Sequence, residues 1–360
     1  MLTTDLGWGP FFAQHFDKLD TPGNKPARVF RQDKHRFLLH NATDVVTATL
    51  TGALGRELAR SGTTIAIGDW VAATSPELEG DWRIQHLLPR KSAFVRKVAG
   101  STTVEQIVAA NIDVVFLVSG LDGDFNLRRI ERFLTQAWNS GATPVIILNK
   151  ADACDDVEGR LLAAAAVAPG VEVHAVSAKQ GTGLEGIEQY LTAGTTVALL
   201  GSSGVGKSTL VNLLLGEEHM RTETVREDDS RGRHTTTHRE MIMLPGGALL
   251  VDTPGMRELQ LWSSSDDVNQ TFPEVADLAA SCRFNDCTHT MEPGCAVLEA
   301  LEAGVLSEDR YQSHQKLVRE VAYLERRQVE SAVFKQRKRD KKFAKMVREV
   351  IQHKKHRGGR

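Results

Sequence analysis

The feature that most constrains this chain is the order in which five short motifs occur. Asn149-Lys150-Ala151-Asp152 comes first, Ser177-Ala178-Lys179 second, and the glycine-rich stretch from Gly201 to Ser208 only third. Three threonines at 235–237 and the stretch Asp252-Thr253-Pro254-Gly255 complete the series. In an ordinary nucleotide-binding domain of this type the glycine-rich phosphate loop leads and Asn-Lys-x-Asp comes late. The order here is that of a circular permutation.

The glycine-rich stretch is the strongest single signal. It lies between an apolar run at 196–200 and a helix-forming run at 209–215, the strand–loop–helix context of a phosphate loop. Its glycines let backbone N–H groups surround a phosphate, and the following helix adds its positive end. Lys207 is expected to bridge the β- and γ-phosphates, and Ser208 to bind Mg²⁺. The predicted nucleotide-binding residues of this loop are Gly201, Ser202, Ser203, Gly204, Val205, Gly206, Lys207, Ser208 and Thr209.

The first two motifs identify the base. An aspartate carboxylate at Asp152 accepts hydrogen bonds from N1–H and the exocyclic amine of guanine, a pattern that adenine does not offer. The Ser-Ala-Lys motif matches a loop in which a backbone N–H reaches the base oxygen. GTP is therefore strongly favoured over ATP. The predicted guanine-reading residues are Asn149, Lys150, Asp152, Ser177, Ala178 and Lys179.

The last two motifs predict the groups that respond to the γ-phosphate. Asp252 is expected to hold Mg²⁺ through water, and Gly255 to offer a backbone N–H to the γ-phosphate. One threonine of 235–237 is expected to close on Mg²⁺, with Thr236 or Thr237 favoured. The polar stretch around them predicts a switch loop that orders when GTP is bound.

One absence bears on hydrolysis. Many GTPases place a glutamine after Asp-x-x-Gly to orient the attacking water, whereas this chain has Met256 there. Slow intrinsic hydrolysis and an activating partner are therefore expected. His234 is a candidate for the missing polar group, and an ordinary solvent-facing histidine is the open alternative. The predicted catalytic residues are Lys207, Asp252, Thr236, Thr237 and His234.

A cluster of soft metal ligands follows the nucleotide motifs. Cys282, Cys287, His289 and Cys295 lie within 14 residues. Three thiolates and an imidazole suit tetrahedral Zn²⁺, and four protein ligands leave no open position for catalysis. One structural zinc ion is predicted, although the spacing is not that of a common zinc finger. Cys154 lies far away and is expected to be a bystander thiol.

The pattern of strand-like and helix-like segments predicts a multidomain α/β protein. It has an N-terminal β-barrel of the oligonucleotide-binding (OB) type, a circularly permuted P-loop GTPase domain and a C-terminal α-helical zinc-binding domain. Short β-rich runs at 37–39, 45–50, 63–67, 70–73 and 82–84 predict the barrel. Strand–helix alternation after 98 predicts a parallel sheet. The predicted divisions are 1–27 N-terminal extension, 28–97 barrel, 98–265 GTPase domain, 266–325 zinc-binding helical domain and 326–360 basic tail.

Charge is distributed very unevenly along the chain. The formal net charge is only −2, yet residues 326–360 hold 14 Lys or Arg against 3 Asp or Glu. Such a tail favours a polyanionic partner.

No apolar run approaches the roughly 18 residues of a membrane span. Four cysteines, three of them beside a histidine, fit a reducing compartment. A cytoplasmic protein without membrane association, and a monomer, is expected.

Together these motifs resemble the bacterial small-ribosomal-subunit-dependent GTPase family, known as RsgA or YjeQ. The resemblance rests on residues 232–237, 252–258 and 282–295 and covers nearly the whole chain. It implies an OB-type barrel, a zinc domain after the GTPase domain, binding to rRNA and GTP hydrolysis stimulated by the small subunit during its late maturation. Two alternatives remain at this stage: a permuted GTPase acting on another ribonucleoprotein, and an RNA-binding scaffold whose nucleotide site is structural.

Overall fold

The computed structural model describes residues 3–19, 21–33, 36–97, 105–123, 125–202, 204–216, 240–252, 268–269 and 271–319. Several predicted site residues and the basic tail lie outside these ranges, and for Asp252 the described part is the backbone. The residues outside are Ser203, His234, Thr236, Thr237, Gly255 and Met256.

Five strands form a closed barrel near the N-terminus, which confirms the predicted architecture. They pair in the order β1-β2-β3-β5-β4, and β4 pairs back onto β1. Buried apolar side chains from every strand fill the interior. The strands are β1 Lys25–Asp33, β2 Arg36–His40, β3 Val45–Leu50, β4 Trp70–Thr74 and β5 Trp82–Leu87.

The connection between β3 and β4 differs from the prediction. Helix α2, Gly52–Ser61, begins after a cap by Thr51 and ends at Gly62, which has φ +71°. The strand predicted at 63–67 was wrong, because this segment forms only one bridge, from Ile67 to Ala109. Ile65 and Ile67 instead fill the core beside a turn, in which the Asp69 carboxylate accepts a hydrogen bond from the Ala66 backbone N–H at 2.7 Å.

A second group of strands forms the predicted parallel sheet. Its order is β10-β9-β8-β11-β13-β12, with β12 antiparallel to β13, and the register pair Arg31–Glu240 joins it to the barrel. A two-stranded hairpin, β6 Ala93–Lys97 and β7 Glu105–Ala110, lies between the two groups in sequence. The sheet strands are β8 Val114–Gly120, β9 Thr143–Asn149, β10 Val173–Ala175, β11 Thr196–Leu200, β12 Glu240–Met243 and β13 Leu249–Asp252.

Helices connect the parallel strands as predicted, and the helix-forming run at 209–215 lies within α6. α3 is capped by Asn126 and ends at Gly141, which has φ +81°, and its buried face packs against the sheet. α6 starts directly after the phosphate loop. The helices are α3 Leu127–Ser140, α4 Val157–Ala166, α5 Glu185–Glu188 and α6 Lys207–Leu215.

The described C-terminal region is helical, as predicted. It contains α7 Pro273–Ala279, α8 Ala296–Glu302 and helical backbone at 308–319. These helices bury a small core of their own that includes Cys295. At the other end of the chain, α1, Pro10–Asp17, places Phe12 against Trp70 of the barrel. Among the described residues, every helix is too short or too polar to span a bilayer.

A buried arginine joins the barrel to the GTPase domain. The Arg28 side chain is 1% exposed and donates to the carbonyl oxygens of Leu6 at 2.5 Å, Asn111 at 2.9 Å and Gly68 at 3.2 Å. Burial lowers its pKa to about 10, which leaves the guanidinium charged at neutral pH. Gly68 is required here, because a Cβ would lie 2.0 Å from the Ala110 carbonyl oxygen. One cation therefore satisfies carbonyls from three segments.

Arg28→Met is expected to lower the free energy of unfolding by about 3 kcal/mol, because it leaves these buried carbonyls without a donor. Arg60→Met, at an exposed position on α2, is the matched control. Urea titration followed by tryptophan fluorescence measures the effect. Equal stability of the two variants would contradict this role for Arg28.

Candidate functional site

The predicted nucleotide motifs meet at one edge of the parallel sheet. β9 and β11 both lie beside β8 and run parallel to it, so their carboxyl ends, at Asn149 and Leu200, lie on the same edge. β13 is parallel to β11 on its other side and brings the Asp252 backbone to that edge. Ligands bind at the carboxyl ends of strands in open α/β sheets. The fold thus brings motifs that are far apart in the sequence to one edge of the sheet.

The side-chain amide of Asn149 ties three motifs together. Its Nδ2 donates to the Val205 carbonyl oxygen of the phosphate loop at 2.8 Å, and its Oδ1 accepts from the Ala178 backbone N–H at 3.0 Å. Asn149 is only 2% exposed. Its amide therefore supports the loops instead of facing an open pocket.

The glycines of the phosphate loop are required by close contacts. A Cβ on Gly201 would lie 2.3 Å from the Val118 carbonyl oxygen. A Cβ on Gly206, which has φ +91°, would lie 2.2 Å from Asn149 Nδ2. Gly206 also immediately precedes α6, so the loop leads into a helix N-terminus.

Lys207 lies inside the curl of this loop. Its side-chain ammonium donates to the carbonyl oxygens of Gly201, at 2.8 Å, and Ser202, and the residue is 9% exposed. The ammonium is thus held at the loop where the sequence predicts a phosphate. Ser208 and Thr209 follow in the first turn of α6 and are half-buried.

The remaining guanine-motif side chains are also paired. Lys150 has φ +67°, a conformation that few residues other than glycine adopt, and its Nζ donates to Asp122 Oδ2 at 2.5 Å. Ser177 Oγ donates to Asp152 Oδ1 at 2.5 Å, which fixes the orientation of the carboxylate predicted to read guanine. Lys179, by contrast, is exposed.

Two residues of the site were not found from the sequence. Asp122 positions Lys150, and Arg129 Nη1 donates to Ser202 Oγ at 2.7 Å. Both lie in the segment that connects β8 to the first turn of α3. The cap residue Asn126 marks the start of that helix in the sequence, but no motif points from it to the phosphate loop.

The four predicted zinc ligands converge. Their ligand atoms all lie within 4.8 Å of one another. The Nδ1 of His289 is 3.6 Å from Cys282 Sγ and 3.4 Å from Cys295 Sγ, and the two sulfur atoms are 3.9 Å apart. Tetrahedral Zn²⁺, with Zn–S near 2.3 Å and Zn–N near 2.0 Å, places the ligand atoms of three thiolates and one imidazole roughly 3.5 to 3.8 Å apart. The donor set and its dimensions therefore fit zinc.

Neighbouring groups hold the cluster in shape. His289 has φ +57°, and Tyr311 donates its hydroxyl to the His289 carbonyl oxygen. Burial lowers the pKa of His289, which favours the neutral imidazole that a metal needs. The Glu292 carboxylate accepts hydrogen bonds from the Thr288 hydroxyl and from the backbone of the same loop, and these hold its pKa well below the usual range.

Gly206→Ala is expected to weaken guanine-nucleotide binding about tenfold or more, because its Cβ would displace the Asn149 amide. Gly216→Ala is the matched control: it also has positive φ, +71°, but its Cβ would meet nothing within 4 Å. Both should lose a similar, small amount of stability from backbone strain, about 1 kcal/mol. Fluorescent-nucleotide titration separates them. Equal affinities in the two variants would contradict the Asn149 contact.

Comparison with family models identifies this set of motifs. The RsgA GTPase model matches residues 87–262, which include every predicted nucleotide motif. An ABC transporter model matches residues 184–350. That second range includes the phosphate loop, which many nucleotide-binding proteins share, but begins after Asn149 and Ser177, the residues of the guanine-reading motifs.

Solved structures share the fold. YjeQ from Thermotoga maritima superposes with a TM-score of 0.63 at 26% identity, covering 83% of this chain and 99% of that one. YloQ, described as a circularly permuted GTPase, superposes with a TM-score of 0.62 at 21% identity, covering 84% of this chain and 96% of that one.

Curated relatives are similar over most of the chain. Small ribosomal subunit biogenesis GTPase RsgA of Opitutus terrae is 48% identical over 338 residues, which cover 91% of this chain and 92% of that protein. The Lactiplantibacillus plantarum protein RsgA 2, which has the same description, is 46% identical with the same coverage. The chain therefore belongs to the RsgA GTPase family, and with it to the GTP-hydrolysing enzymes.

Proposed function

We propose that this protein couples GTP hydrolysis to late maturation of the small (30S) ribosomal subunit, that it binds the rRNA of that subunit, and that the subunit stimulates hydrolysis. The names of its relatives support the biological process. The observation that carries the nucleotide chemistry is the Asn149 amide, which holds the guanine loops and the phosphate loop in one site. We further propose a cytoplasmic monomer without membrane association.

The site residues have separate roles in this proposal. Asp152, oriented by Ser177, reads guanine. Lys207 moves from the loop carbonyls to the β- and γ-phosphates when nucleotide enters, because a phosphate is the stronger acceptor for an ammonium. Ser208 and Asp252 would hold Mg²⁺, which would neutralise charge on the phosphates.

The groups that complete hydrolysis are proposed from the sequence alone. Gly255 and one of Thr236 and Thr237 would close on the γ-phosphate and Mg²⁺, with His234 as the candidate polar group near the attacking water. Met256 cannot orient water through a side-chain hydrogen bond. Contact with the subunit would therefore arrange the catalytic groups, so that the bound enzyme hydrolyses GTP faster than the free one.

The barrel and the basic tail are the proposed rRNA contacts. Closed barrels of this type bind oligonucleotides on a strand face and adjoining loops. The tail has a net charge of +11, from 14 basic and 3 acidic residues, while the whole chain has −2. Concentrated positive charge of this kind favours phosphate-backbone binding, with an affinity that falls steeply as salt rises.

GTP turnover is expected to rise about tenfold or more when isolated small subunits are added to the purified protein, and to stay unchanged with large subunits. Release of inorganic phosphate measures this rate. Stimulation by large subunits alone would indicate that the enzyme acts on another ribonucleoprotein and not on the small subunit. GTP binding without stimulation by either subunit would favour the scaffold alternative.

We also propose that the Cys/His cluster holds one structural Zn²⁺. Cys282, Cys287 and Cys295 would bind as thiolates and His289 through Nδ1. The bound cation would favour the thiolates over the thiols and release their protons. Its effect is stability of a region whose own apolar core is small.

Purified protein is expected to contain one zinc ion per chain by elemental analysis. Cys287→Ser should lose most of it and lower the unfolding temperature of the C-terminal region. Cys154→Ser is the matched control, since Cys154 lies outside the cluster. A metal-replete preparation with no stoichiometric zinc, or equal zinc content in the two variants, would contradict the proposal.

A further inference from the structure

Helix α3 contacts both the phosphate loop and the C-terminal domain, through different flanks. Successive residues of an α-helix are about 100° apart around its axis. Ile130, Leu134 and Ala137 form the buried stripe of α3 that packs on the sheet. Arg129 lies on one flank of that stripe, and Glu131 with Thr135 lies on the other. α3 therefore lies between the phosphate loop and the C-terminal domain.

The first flank contacts the phosphate loop. Arg129 Nη1 donates to Ser202 Oγ at 2.7 Å, and the carbonyl oxygen of Ser202 accepts from Lys207. Ser202 is thus held from outside the loop by one cation and from inside by another. A shift of the first turn of α3 would change the position of the loop that receives the phosphates.

The second flank contacts the C-terminal domain at a buried ion pair. Arg310 donates to the carboxylates of both Glu131 and Glu274, and to the Thr271 carbonyl oxygen at 2.8 Å. The side chains of Arg310 and Glu131 are 10% and 6% exposed. The guanidinium also lies 4.3 Å from the ring centre of Phe272. Because loss of one partner would leave a buried charge unpaired, this pair resists separation.

Other contacts extend the same interface. The hydroxyl groups of Thr135 and Thr271 lie 2.9 Å apart and both residues are buried. Arg128, on the same flank, lies 3.8 Å from Asp309 at the exposed edge. Positions 128, 131 and 135 are three and four residues apart, so they form one continuous face of the helix. The C-terminal domain therefore contacts α3 along two turns.

We propose that Arg129 is a positioning residue for the phosphate loop, and that the Arg310–Glu131 ion pair makes this positioning depend on the placement of the C-terminal domain. α3 transmits the dependence as a rigid element, since its inner stripe is packed and its ends are capped. The inference rests on nucleotide binding at the phosphate loop. It needs no ribosomal contact.

A mutant cycle on the full-length protein, without ribosomal subunits, tests this coupling. Fluorescent GDP and a fluorescent non-hydrolysable GTP analogue are the probes. Arg129→Lys should weaken nucleotide binding about fivefold. Arg310→Lys keeps the positive charge, but a lysine ammonium cannot donate to two carboxylates and a carbonyl oxygen as the planar guanidinium of arginine does. It should therefore change the affinity in the same direction, although Arg310 does not touch the loop. Arg60→Lys, exposed on the barrel, should change nothing.

The double variant Arg129→Lys with Arg310→Lys decides the matter. If α3 transmits the effect, the double variant binds nucleotide no more weakly than the weaker single variant. Additive effects, or an unchanged affinity in folded Arg310→Lys, would overturn the proposal. Should Arg310→Lys unfold, Thr135→Val with Thr271→Val loosens the same interface while removing both hydrogen-bond partners. Unchanged affinity in that variant would overturn the proposal equally.

Discussion

The site depends on one buried amide. Asn149 donates to the phosphate loop at Val205 and accepts from the Ser-Ala-Lys loop at Ala178, so three motifs share a single rigid group. Its position also explains the glycine at 206, where any side chain would meet the amide nitrogen. The permutation leaves this arrangement intact, because the contacts are set by which strands are neighbours in the sheet and not by the order in which the chain builds them.

Much of the fold and of the site could be predicted from the sequence. β11 was predicted with its observed bounds, because a run that is apolar after Thr196 ends at a phosphate loop. α2 was missed, since only Leu54 and Leu58 mark its buried face in a short polar helix. The strand predicted at 63–67 was wrong, because Ile65 and Ile67 are buried beside a turn and not in a strand. Arg129 and the Arg310–Glu131 pair could not be predicted, because such contacts depend on how distant segments pack.

The C-terminal domain follows the nucleotide motifs in sequence. β13 ends with Asp252, and the next described residues, from 268 onward, belong to the helical region that contains the Cys/His cluster. That region contacts the GTPase domain through Arg310 and Thr271, which bind Glu131 and Thr135 on the second flank of α3. The domain that contains the Cys/His cluster is thus linked to the GTPase domain in sequence, after Asp252, and in space, through the buried Arg310–Glu131 ion pair.

If GTP hydrolysis is coupled to subunit maturation as proposed, GTP and GDP must give this enzyme different affinities for the small ribosomal subunit. Sedimentation of the protein with isolated small subunits, in GDP and in a non-hydrolysable GTP analogue at the same salt concentration, tests it most directly. We expect tighter binding with the GTP analogue, because a nucleotide switch has an effect only through differential affinity. Equal binding with the two nucleotides would contradict it.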